Sequence, residues 1–514
     1  MFEGPSGDVS EWTYSDFDRE VAQVASHLRE VGVAEGATVH LALTNCPTFI
    51  AVWLAANRLG AAIIPSDPMG TVGELADHIE RTGPTVGFCS TNRSDTYRAA
   101  APSDLTVIEV DEAARGVTRF HDAMDCGATV SDGADPEFAD WAAPAPTDLA
   151  AVMFTSGTTG RPKGVEITQA NYAFAGKVMA EAAALTHTDR QIVVLPLFHA
   201  NAQYYSFASA IWAGASVALI HTFSASKFLD QVARHGATCA SLFAAPMRMI
   251  LARGGPVDGL KLRHCWFAQN LANDQYETIS EWLGVRPRQL YGMTETIPAV
   301  LSDSATDTRP DSMGFVTQGC TVDLHDPEGN SVEPDIVGEV VVGGAPGLTL
   351  FAGYLDDPDT TAASFRNGWF RTGDRATRDA DGRFFFDGRR SDVLKVAGEN
   401  VSTVEVAAIL SAHPAVLEAA VVGAPDPIRD EVPVAFVVAS DTSNPPTTDD
   451  LLEWCASRLS KAKQPRDITF LDELPRTSVG KIRTFVLRDG LTLNTDPDPI
   501  PSPTTPAKDE VSAS

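Results

Sequence analysis

Apolar residues recur along the first half of the chain at two spacings. From residue 17 to residue 31 they return every three or four positions, which predicts a helix with one buried face, and Ser15 followed by Asp18 resembles a capping box. Short unbroken apolar runs then alternate with further helical segments. Strands that helices cover on both faces are apolar throughout. The alternation predicts α/β units, with strands at 39–43, 61–65, 85–88 and 105–110 and a helix at 47–59.

The alternation continues beyond residue 150 and then changes twice. It predicts strands at 151–154, 165–167, 192–195, 217–220 and 239–243, and helices at 171–184, 204–212, 228–235 and 276–283. From residue 322, shorter strands such as 338–342 and 383–386 predict a β-rich subdomain. Helices at 404–410 and 451–459 with strands at 416–422 and 432–438 then predict a small α+β domain of about 100 residues.

These changes divide the chain into residues 1–390, residues 391–491 and a terminal segment, residues 492–514. The terminal segment contains Pro, Thr, Ser and Asp with almost no large apolar side chains, a composition that predicts disorder. Segment 111–146 is rich in Asp, Gly and Ala, and we expect an irregular surface connection there. A chain of 514 residues exceeds the usual size of a single core, so more than one domain is expected.

Charge and cysteine content exclude several classes of protein. The chain carries 39 basic and 68 acidic residues, a net charge of −29, which opposes binding to nucleic acid or to an anionic membrane. A phosphate ligand must then be held by a local site. The seven cysteines are scattered without a C-x-x-C pair, so neither a disulfide framework nor a zinc site is predicted. Neither a secretory leader nor a membrane span is predicted, and a cytoplasmic location is expected.

A hydroxyl- and glycine-rich stretch lies between the predicted strands at 151–154 and 165–167. Glycine permits a close backbone approach to a ligand, hydroxyls donate hydrogen bonds and lysine adds a cation, which together suit a polyphosphate. The stretch is not a Walker A loop, because Pro162 stands five residues after Gly157 and Gly164 follows Lys163. An ordinary polar turn is the alternative. The candidate ligand-binding residues are Thr155, Ser156, Gly157, Thr158, Thr159, Gly160 and Lys163.

Three further stretches place polar residues among apolar or glycine-rich neighbours, at 291–296, at 368–374 with 387–392 close behind, and at 474–481. Taken singly, each has an ordinary structural explanation. Glu295 suits a solvated carboxylate or a helix cap, Asp374 and Arg389 suit a surface ion pair, and Lys481 suits an exposed lysine. The order of all four stretches along one chain is far more specific than any one of them.

In this order the four stretches resemble the adenylate-forming superfamily of acyl-CoA synthetases, nonribosomal-peptide adenylation domains and firefly luciferase, from about residue 12 to residue 487. The resemblance implies a large N-terminal domain of stacked α/β subdomains, which holds the ATP and acyl sites, and a small mobile C-terminal domain with a catalytic lysine. It also implies a reaction in two steps. A carboxylic acid and ATP give an acyl-adenylate and pyrophosphate, and the thiol of coenzyme A then displaces AMP.

The resemblance implies a role for each matching residue. The loop from Thr155 to Lys163 binds the β- and γ-phosphates, Thr294 contacts the α-phosphate and Glu295 binds Mg²⁺, a hard ion for which one carboxylate beside phosphate oxygens suffices. Tyr291 stacks near adenine, and Asp374 with Arg389 binds the ribose. Lys481 reaches the α-phosphate and the carboxylate during adenylation. The remaining implied roles are a hinge at Ser391, a pantetheine tunnel at Gly398 and Glu399, and control of acyl access at His199.

Within the superfamily, the motifs at 291–297, 398–402 and 428–431 most resemble carnitine and crotonobetaine CoA ligases. The segment that usually flanks adenine and the acyl group departs from the common pattern, since it contains Gln269 and Asn270. Mixed amide and apolar side chains predict a small or medium acid with polar substituents. The candidate acyl-pocket residues are Asn201, Gln203, Tyr204, Phe243, Met247, Gln269, Asn270, Ile297 and Pro298.

Two alternatives to an acid–CoA ligase stay open at this stage. In the first, an adenylating enzyme passes the activated acid to a carrier-protein thiol or to another nucleophile. In the second, the protein binds ligands without catalysis, although the complete set of motif residues argues against this. A small-molecule carboxylic acid is the expected partner, with a carrier protein as a candidate acceptor and a homodimer as a candidate assembly.

Overall fold

The computed structural model describes residues 1–114, 116–118, 143–155, 162–389, 393–396, 399–426, 429–441, 443–476 and 482–493. They fall into two compact units that divide between residues 391 and 392. No helix in these ranges is both long enough and apolar enough to span a bilayer.

The first unit consists of strands with helices between them. Its strands are β1 (Phe2–Glu3), β2 (Val9–Ser10), β3 (Thr38–Ala42), β4 (Ala62–Pro65), β5 (Val86–Ser90), β6 (Thr106–Val110), β7 (Leu149–Thr155), β8 (Lys163–Thr168), β9 (Arg190–Val193), β10 (Ser216–Ile220), β11 (Cys239–Phe243), β12 (His264–Ala268), β13 (Arg288–Tyr291), β14 (Leu301–Ser302), β15 (Phe315–Val316), β16 (Thr321–His325), β17 (Gly338–Gly343), β18 (Gly353–Tyr354), β19 (Phe365–Arg366), β20 (Trp369–Arg378) and β21 (Phe384–Arg389). Its helices are α1 (Tyr14–Glu30), α2 (Pro47–Arg58), α3 (Val72–Thr82), α4 (Ser94–Ala100), α5 (Gln169–Ala182), α6 (Ser209–Ala213), α7 (Phe228–His235), α8 (Ala244–Arg253), α9 (Asn273–Leu283) and α10 (Pro358–Ala363), with a π-helix at Asn201–Ala208 and 3₁₀ turns at Thr91–Arg93 and Thr294–Thr296.

Two mixed sheets form the larger part of this unit. The nine-stranded sheet has the order β15-β14-β13-β12-β11-β9-β10-β1-β2, and its strands from β13 to β1 run parallel to their neighbours. The seven-stranded sheet has the order β18-β8-β7-β4-β3-β5-β6, with parallel pairing from β7 to β6. Antiparallel strands extend both sheets at their edges. The predicted α/β class is confirmed, and the sheets of the α/β part are largely parallel.

A third sheet has the order β16-β17-β20-β19, and β21 pairs with β20. All of its pairs are antiparallel, as expected for strands joined by short turns. This sheet confirms the predicted β-rich subdomain that begins near residue 322.

The start of the first helix differs from the prediction. Thr13, not Ser15, caps α1, and its side chain and that of Asp16 form the reciprocal hydrogen bonds of a capping box. The predicted box at Ser15 and Asp18 is therefore wrong by two residues, because both patterns contain a hydroxyl three positions before an aspartate. Helix α3 is absent from the predicted elements, although Thr71 and Glu74 form a complete capping box at its start.

The second unit contains one sheet with apolar clusters on both faces. The sheet has the order β23-β22-β25-β24, and β26 pairs parallel with β25. Its elements are β22 (Val393–Val396), β23 (Glu399–Ser402), α11 (Thr403–Ser411), β24 (Val416–Asp426), β25 (Asp430–Ala439), α12 (Thr448–Ala456), β26 (Asp467–Phe470) and α13 (Thr484–Leu493). The predicted small α+β fold is confirmed, while its mobility stays a prediction. The predicted disordered tail is 492–514. Its first two residues belong to α13, and residues 494–514 and most of the predicted surface connection lie outside the described residues.

Candidate active site

Three neighbouring parallel strands, β11, β12 and β13, end at one edge of the nine-stranded sheet. Phe243 at the end of β11 is level with Ala268 at the end of β12, and β13 ends at Tyr291. In open α/β sheets, ligands bind in the crevice outside the carboxyl ends of the strands. Many of the predicted site residues follow these three ends, and the structure therefore brings their backbones to one edge. These residues are Phe243, Met247, Gln269, Asn270, Tyr291, Thr294, Glu295, Ile297 and Pro298.

Glu295 lies in the 3₁₀ turn that follows β13, and only 4% of it is exposed. The hydroxyl of Tyr354 donates a hydrogen bond to Glu295 Oε1 over 3.0 Å. Lys163 Nζ lies 4.5 Å from the centre of the Tyr354 ring, within range of a cation–π interaction. Burial, together with the Glu295 carboxylate, raises the pKa of Tyr354, so the hydroxyl keeps the proton that it donates. Tyr354 thus connects the predicted phosphate-binding lysine to the predicted magnesium ligand.

Lys163 begins the second strand of a hairpin. Strands β7 and β8 are antiparallel, and Thr155 is opposite Lys163 at the end of the ladder next to the segment that connects the two strands. A Walker A loop joins a strand to a helix, so the strand–loop–strand arrangement agrees with the spacing argument against that motif. The predicted ligand-binding residues between them, Ser156, Gly157, Thr158, Thr159 and Gly160, lie outside the described residues.

Helix α3 supports both flanks of this hairpin loop. The His78 ring stacks on Phe154, with ring centres 3.9 Å apart and an interplanar angle of 7°. Arg81 donates a hydrogen bond of 2.7 Å to the carbonyl of Pro162, and its guanidinium carbon lies 4.8 Å from the centre of the Phe154 ring. Side chains of one helix therefore hold the residue before Thr155 and the residue before Lys163.

A buried polar chain supports His78 in turn. Ser66 Oγ lies 2.8 Å from His78 Nδ1 and 3.0 Å from His40 Nε2, and His40 Nδ1 lies 2.8 Å from the Tyr97 hydroxyl. Burial lowers the pKa of His40 to about 3 and the pKa of His78 to about 4. Both histidines are therefore neutral at physiological pH.

A second cluster surrounds Asp374, which is buried. The hydroxyl of Tyr291 donates to Asp374 Oδ2 over 2.7 Å, and Arg389 Nε donates to Asp374 Oδ1 over 2.8 Å. Strands β20 and β21 place Asp374 opposite Arg389. Burial and the Asp374 carboxylate raise the pKa of Tyr291, which therefore acts as a donor. The carboxylate is oriented from two sides, and each oxygen keeps a lone pair that can accept from a ligand hydroxyl.

Residues 291–295 connect the two clusters, because Tyr291 belongs to one and Glu295 to the other. Gly292 permits the close packing of this connection. A Cβ atom there would lie 2.9 Å from the carbonyl oxygen of Pro298 and 3.0 Å from the hydroxyl of Tyr205. The predicted α-phosphate ligand, Thr294, is partly exposed at the start of the 3₁₀ turn.

The candidate acyl-pocket residues of the π-helix differ in how far their polar groups are already used. Gln203 donates from Nε2 to the carbonyl of Leu197 over 2.6 Å, and its Oε1 accepts from the Tyr172 hydroxyl. Asn201 accepts from Ser241 Oγ over 2.8 Å, but its buried Nδ2 has no partner among the described residues. Asn201 thus offers a donor to a ligand, whereas the amide of Gln203 is already bonded on both sides.

The remaining residues predicted at or beside the acyl pocket in this region are Tyr204, Met247, Phe243 and His199. Tyr204 is fully buried and its hydroxyl lies 3.8 Å from Met153 Sδ. Met247 is also fully buried, and Phe243 is partly buried. The ring of His199 lies directly before the π-helix and contacts Phe198.

Ile297 adopts a strained backbone conformation, with φ 70° and ψ −78°. A β-branched residue rarely takes positive φ, and such strain persists where neighbouring contacts impose it. Thr296 Oγ1 provides these contacts, since it accepts from the N–H of Met293 over 3.0 Å and lies 3.2 Å from the carbonyl oxygen of Pro298.

The two predicted amide residues after β12 are exposed. Gln269 also has positive φ, 74°, and its carbonyl accepts from Gln289 Nε2 over 2.8 Å. The carbonyl of Asn270 accepts a hydrogen bond of 2.8 Å from Arg248 Nη2.

Four residues of this site were missed by sequence reasoning: His78, Arg81, Arg248 and Tyr354. The Thr71–Glu74 capping spacing is a signal for the helix that carries the first two. An arginine inside the apolar run Ala-Ala-Pro-Met-Arg-Met-Ile-Leu is a signal for Arg248. Tyr354 has no comparable signal, because its position follows from the pairing of β18 with β8.

The donor set at Glu295 suits magnesium. Mg²⁺ takes one or two carboxylates and fills its remaining positions with phosphate oxygens and water. Glu295 supplies one such carboxylate, and the described residues contain no group of three or more His, Cys, Asp and Glu that would suit a metal held by protein ligands alone. The predicted residues Lys481, Gly398 and Ser391 lie outside the described residues, and Glu399 begins β23 in the second unit.

Known proteins match this chain over most of its length. The profile of the AMP-binding enzymes matches residues 3–355, and that of the AMP-binding enzyme C-terminal domain matches residues 405–481. Crotonobetaine/carnitine–CoA ligases of Salmonella arizonae and Citrobacter koseri are each 32% identical to this chain, over 494 and 496 residues, which are 94% of this chain and 94% of each relative. These matches confirm the resemblance that the four motifs indicate.

Solved structures agree with the sequence matches. ATP-bound MatB from Rhodopseudomonas palustris is 28% identical, covers 95% of both chains and has a TM-score of 0.84. The o-succinylbenzoate CoA synthetase of Bacillus subtilis in complex with its acyl-adenylate is 27% identical, covers 96% of this chain and 94% of its own, and has a TM-score of 0.78. A benzoate CoA ligase from Burkholderia xenovorans, 24% identical with a TM-score of 0.81 over 95% of this chain and 96% of its own, shares the fold.

Proposed function

The chain belongs to the AMP-binding enzyme family, and from that premise we propose how its residues carry out the reaction of an ATP-dependent acid–CoA ligase. In the first step a carboxylic acid and ATP form an acyl-adenylate and release pyrophosphate. In the second step coenzyme A takes the acyl group as a thioester and AMP leaves.

One observation carries the assignment of residues: segment 291–295 connects the Asp374 cluster to the Lys163–Tyr354–Glu295 contact. A nucleoside triphosphate presents ribose hydroxyls at one end and phosphates at the other. The buried carboxylate of Asp374, oriented by Tyr291 and Arg389, suits the hydroxyls. The ammonium of Lys163 and the carboxylate of Glu295 suit the phosphates and their magnesium.

The acid attacks the α-phosphorus with a carboxylate that is already ionised at neutral pH, so the first step needs no general base. One P–O bond forms to the acid, and the bond to pyrophosphate breaks. Glu295 would hold magnesium, which would supply positive charge to the phosphate oxygens. Thr294 donates to the α-phosphate, and Lys481 stabilises the charge that moves between the acid and the leaving group. The glycine-rich loop with Lys163 holds the part of ATP that leaves as pyrophosphate.

We propose from the family resemblance that residues 391–491 change orientation about Ser391 between the two steps. This movement takes Lys481 away and brings Gly398 and Glu399 to the pantetheine of coenzyme A, a conformational step of the kind that often limits turnover. The thiol then attacks the acyl carbon, the C–O bond to AMP breaks, and AMP leaves.

Acid-dependent exchange between ATP and labelled pyrophosphate tests the first step, over a panel of carboxylic acids. We expect exchange only when a suitable acid is present. Addition of coenzyme A or of a phosphopantetheine-bearing carrier protein then identifies the acceptor by mass spectrometry of the thioester. Adenylation without any thioester to coenzyme A would favour the carrier-protein alternative, and no exchange with any acid would contradict the proposal.

Lys481→Ala separates the two steps. Loss of the ammonium is expected to abolish exchange and to leave thioester formation from supplied acyl-adenylate largely unchanged, because Lys481 acts on charge that exists only during adenylation. The exposed Lys461 of the second unit provides a matched control, and Lys461→Ala is expected to keep both activities. Loss of both steps in folded Lys481→Ala would contradict its assignment.

The acid is proposed to be small or medium in size and to carry polar substituents. The relatives named above act on crotonobetaine and carnitine, on o-succinylbenzoate and on benzoate, so membership of the family leaves the acid open. Polar groups without a protein partner at the acyl side narrow the range of acids that the enzyme can bind. The first of these groups is the buried N–H of Asn201.

A further inference from the structure

Arg248 lies at the edge of the sheet where the acyl residues meet. It follows Met247 near the start of α8, directly after the end of β11. Its Nη2 donates to the carbonyl of Asn270, which follows the end of β12, over 2.8 Å. The guanidinium therefore lies between the ends of two neighbouring strands, beside residues that the sequence assigns to the acyl pocket.

The charge of this arginine has no partner in the part of the chain that the structure describes. Among the described residues no carboxylate lies within ion-pair distance of Arg248, and its hydrogen bond to Asn270 uses one of five N–H donors. Arg383 and Arg263, by contrast, pair with Asp303 and Asp189 at 2.8 Å and 2.7 Å. Arg248 is partly buried, and burial lowers its pKa. A partly buried charge without a counter-charge is costly, so a ligand that supplies the counter-charge would be bound favourably.

A second donor on the same side is also unused. Asn201 is 5% exposed and its Nδ2 has no partner among the described residues, while its Oδ1 is held by Ser241 of β11. Ser241 and Phe243 are two positions apart in β11 and so lie on one face of the sheet. The acyl side thus presents a cation and a neutral donor, and both call for acceptor atoms on the ligand.

We propose that Arg248 binds an anionic group at the far end of the acid, so that the enzyme prefers acids with a second carboxylate. This inference rests on the proposed function and narrows its substrate class. The chain has a net charge of −29, so a doubly charged acid would be repelled by the protein as a whole and needs a local cation to bind. The planar guanidinium fork fits a carboxylate with two parallel hydrogen bonds.

The same cation disfavours the acids of the named relatives. Carnitine and crotonobetaine each carry a trimethylammonium group. This group is positively charged and has no N–H donor. Beside a partly buried guanidinium that charge is repelled, because like charges interact strongly where water is scarce. The chain is 32% identical to crotonobetaine/carnitine–CoA ligases, and the proposal predicts that it rejects their acids.

Pyrophosphate exchange by the wild-type full-length protein tests the charge preference directly. The panel contains linear acids of increasing length in three forms, which end in a carboxylate, in a methyl group or in a trimethylammonium group. At the best length we expect the dicarboxylate to exceed the methyl-ended acid in kcat/KM by about 10- to 100-fold, the range for charge-assisted hydrogen bonds. The trimethylammonium acid is expected to be the poorest of the three.

Substitutions at Arg248 assign the preference to this residue. Arg248→Gln is expected to raise KM for the dicarboxylate about 10- to 100-fold. KM for the methyl-ended acid and KM for ATP are expected to stay within about threefold of the wild-type values. Arg248→Lys keeps the charge without the fork, so an intermediate effect is expected. The exposed Arg253 of the same helix is the control, and Arg253→Gln is expected to behave as the wild type.

Each outcome decides the proposal. Preference of the wild type for methyl-ended or cationic acids overturns it even if Arg248→Gln does not fold, and so does an equal loss with all acids in a folded Arg248→Gln. Failure of every acid to support exchange overturns the proposed function as well. Exchange with the methyl-ended acids alone overturns only the assignment of Arg248.

Discussion

On the phosphate side of the site, Tyr354 lies between the ammonium of Lys163 and the carboxylate of Glu295, and Arg81 holds the loop flank through Pro162. On the acyl side, the buried N–H of Asn201 has no partner among the described residues, and Arg248 has no counter-charge among them. The first set of polar groups is fixed by protein contacts before a ligand binds. The second set keeps binding capacity that a ligand has to use.

The difference follows from what each side has to recognise. ATP is the same in every turnover. Groups that are positioned before ATP binds increase its affinity, because less conformational entropy is lost on binding. The acid differs from one member of the family to another, and its chemistry is set by the groups left unused. Substitutions on the phosphate side should therefore affect all acids alike, and substitutions on the acyl side should change the order of preference among acids.

The largest effect is expected from Glu295→Gln, which removes the proposed magnesium ligand. We expect pyrophosphate exchange to fall by about 100-fold or more with every acid, a loss similar to that of other charge-stabilising groups. A shift of the magnesium dependence to higher concentration should accompany it. The exposed Glu333 is a control, and Glu333→Gln should be unaffected. A loss confined to some acids would break the division between the two sides.

A smaller loss is expected from Tyr354→Phe, which removes the hydrogen bond to Glu295 but keeps the ring beside Lys163. KM for ATP should rise about 10-fold, because a hydrogen bond to a charged group is lost. Tyr354→Leu removes the ring as well and should raise KM for ATP by about a further threefold. Steady-state kinetics at saturating acid measure both. If the two variants are equal, the ring has no part in positioning Lys163.

Asn201→Ala tests the acyl side and is expected to change the relative kcat/KM values of different acids by about 3- to 10-fold, the value of one neutral hydrogen bond. KM for ATP should stay within about twofold of the wild type. Ser241→Ala is the matched control, because it removes the partner of Asn201 Oδ1 and leaves Nδ2 in place. An equal loss of kcat/KM with all acids would contradict this assignment and would group Asn201 with the residues of the phosphate side.

The smallest effect concerns the buried histidines, His40 and His78. They are neutral at pH 7, so we expect them to make folding stability depend on pH only under acidic conditions. Burial lowers the pKa of His40 to about 3 and the pKa of His78 to about 4, from 6.5. As pH falls below 6.5, the unfolded chain therefore binds more protons than the folded chain, and stability decreases down to about pH 4 through His78 and down to about pH 3 through His40. The slope is at most about 1.4 kcal/mol per pH unit for each histidine.

Thermal unfolding curves of His78→Phe, which keeps a ring against Phe154, should depend less on pH in this window than those of the wild type. The exposed His187 serves as the control, and His187→Gln should keep the wild-type dependence. Identical pH dependence of His78→Phe and wild type would show that His78 does not titrate with folding.

The fold was largely predictable because its signals are local. Helix α7 has the predicted bounds, Phe228–His235, since an apolar stripe and a following glycine mark both its face and its end. Most of the parallel strands were predicted within a few residues, because each is a short apolar run. Strands β1 and β12 were not predicted. Helix α3 was missed although its apolar residues lie on one face, because the helix buries only Leu75 and Ile79 and its other residues are mostly polar or small.

The site was predictable where a motif carries it and not where a contact does. Glu295, Asp374 and Lys163 were found from residues beside them in sequence. Tyr354 and Arg248 act across strand pairings, β18 with β8 and β11 with β12, so no pattern near either residue indicates its neighbours. Gln203 shows the converse case, because its amide is bonded to Leu197 and Tyr172 in the fold, and its place in the sequence gives no sign of either bond.

The hairpin of β7 and β8 also limits how this chain can diverge or be re-engineered. Its ladder runs from the Leu149–Thr168 pair to the Thr155–Lys163 pair. Side chains alternate between the two faces of a strand, so deletion of one residue from β8 would turn Lys163 away from Tyr354. Substitutions along the hairpin are therefore easier to tolerate than changes of length. A graft of the glycine-rich loop from another protein has to be joined between residues 155 and 163 to preserve the phase of the lysine.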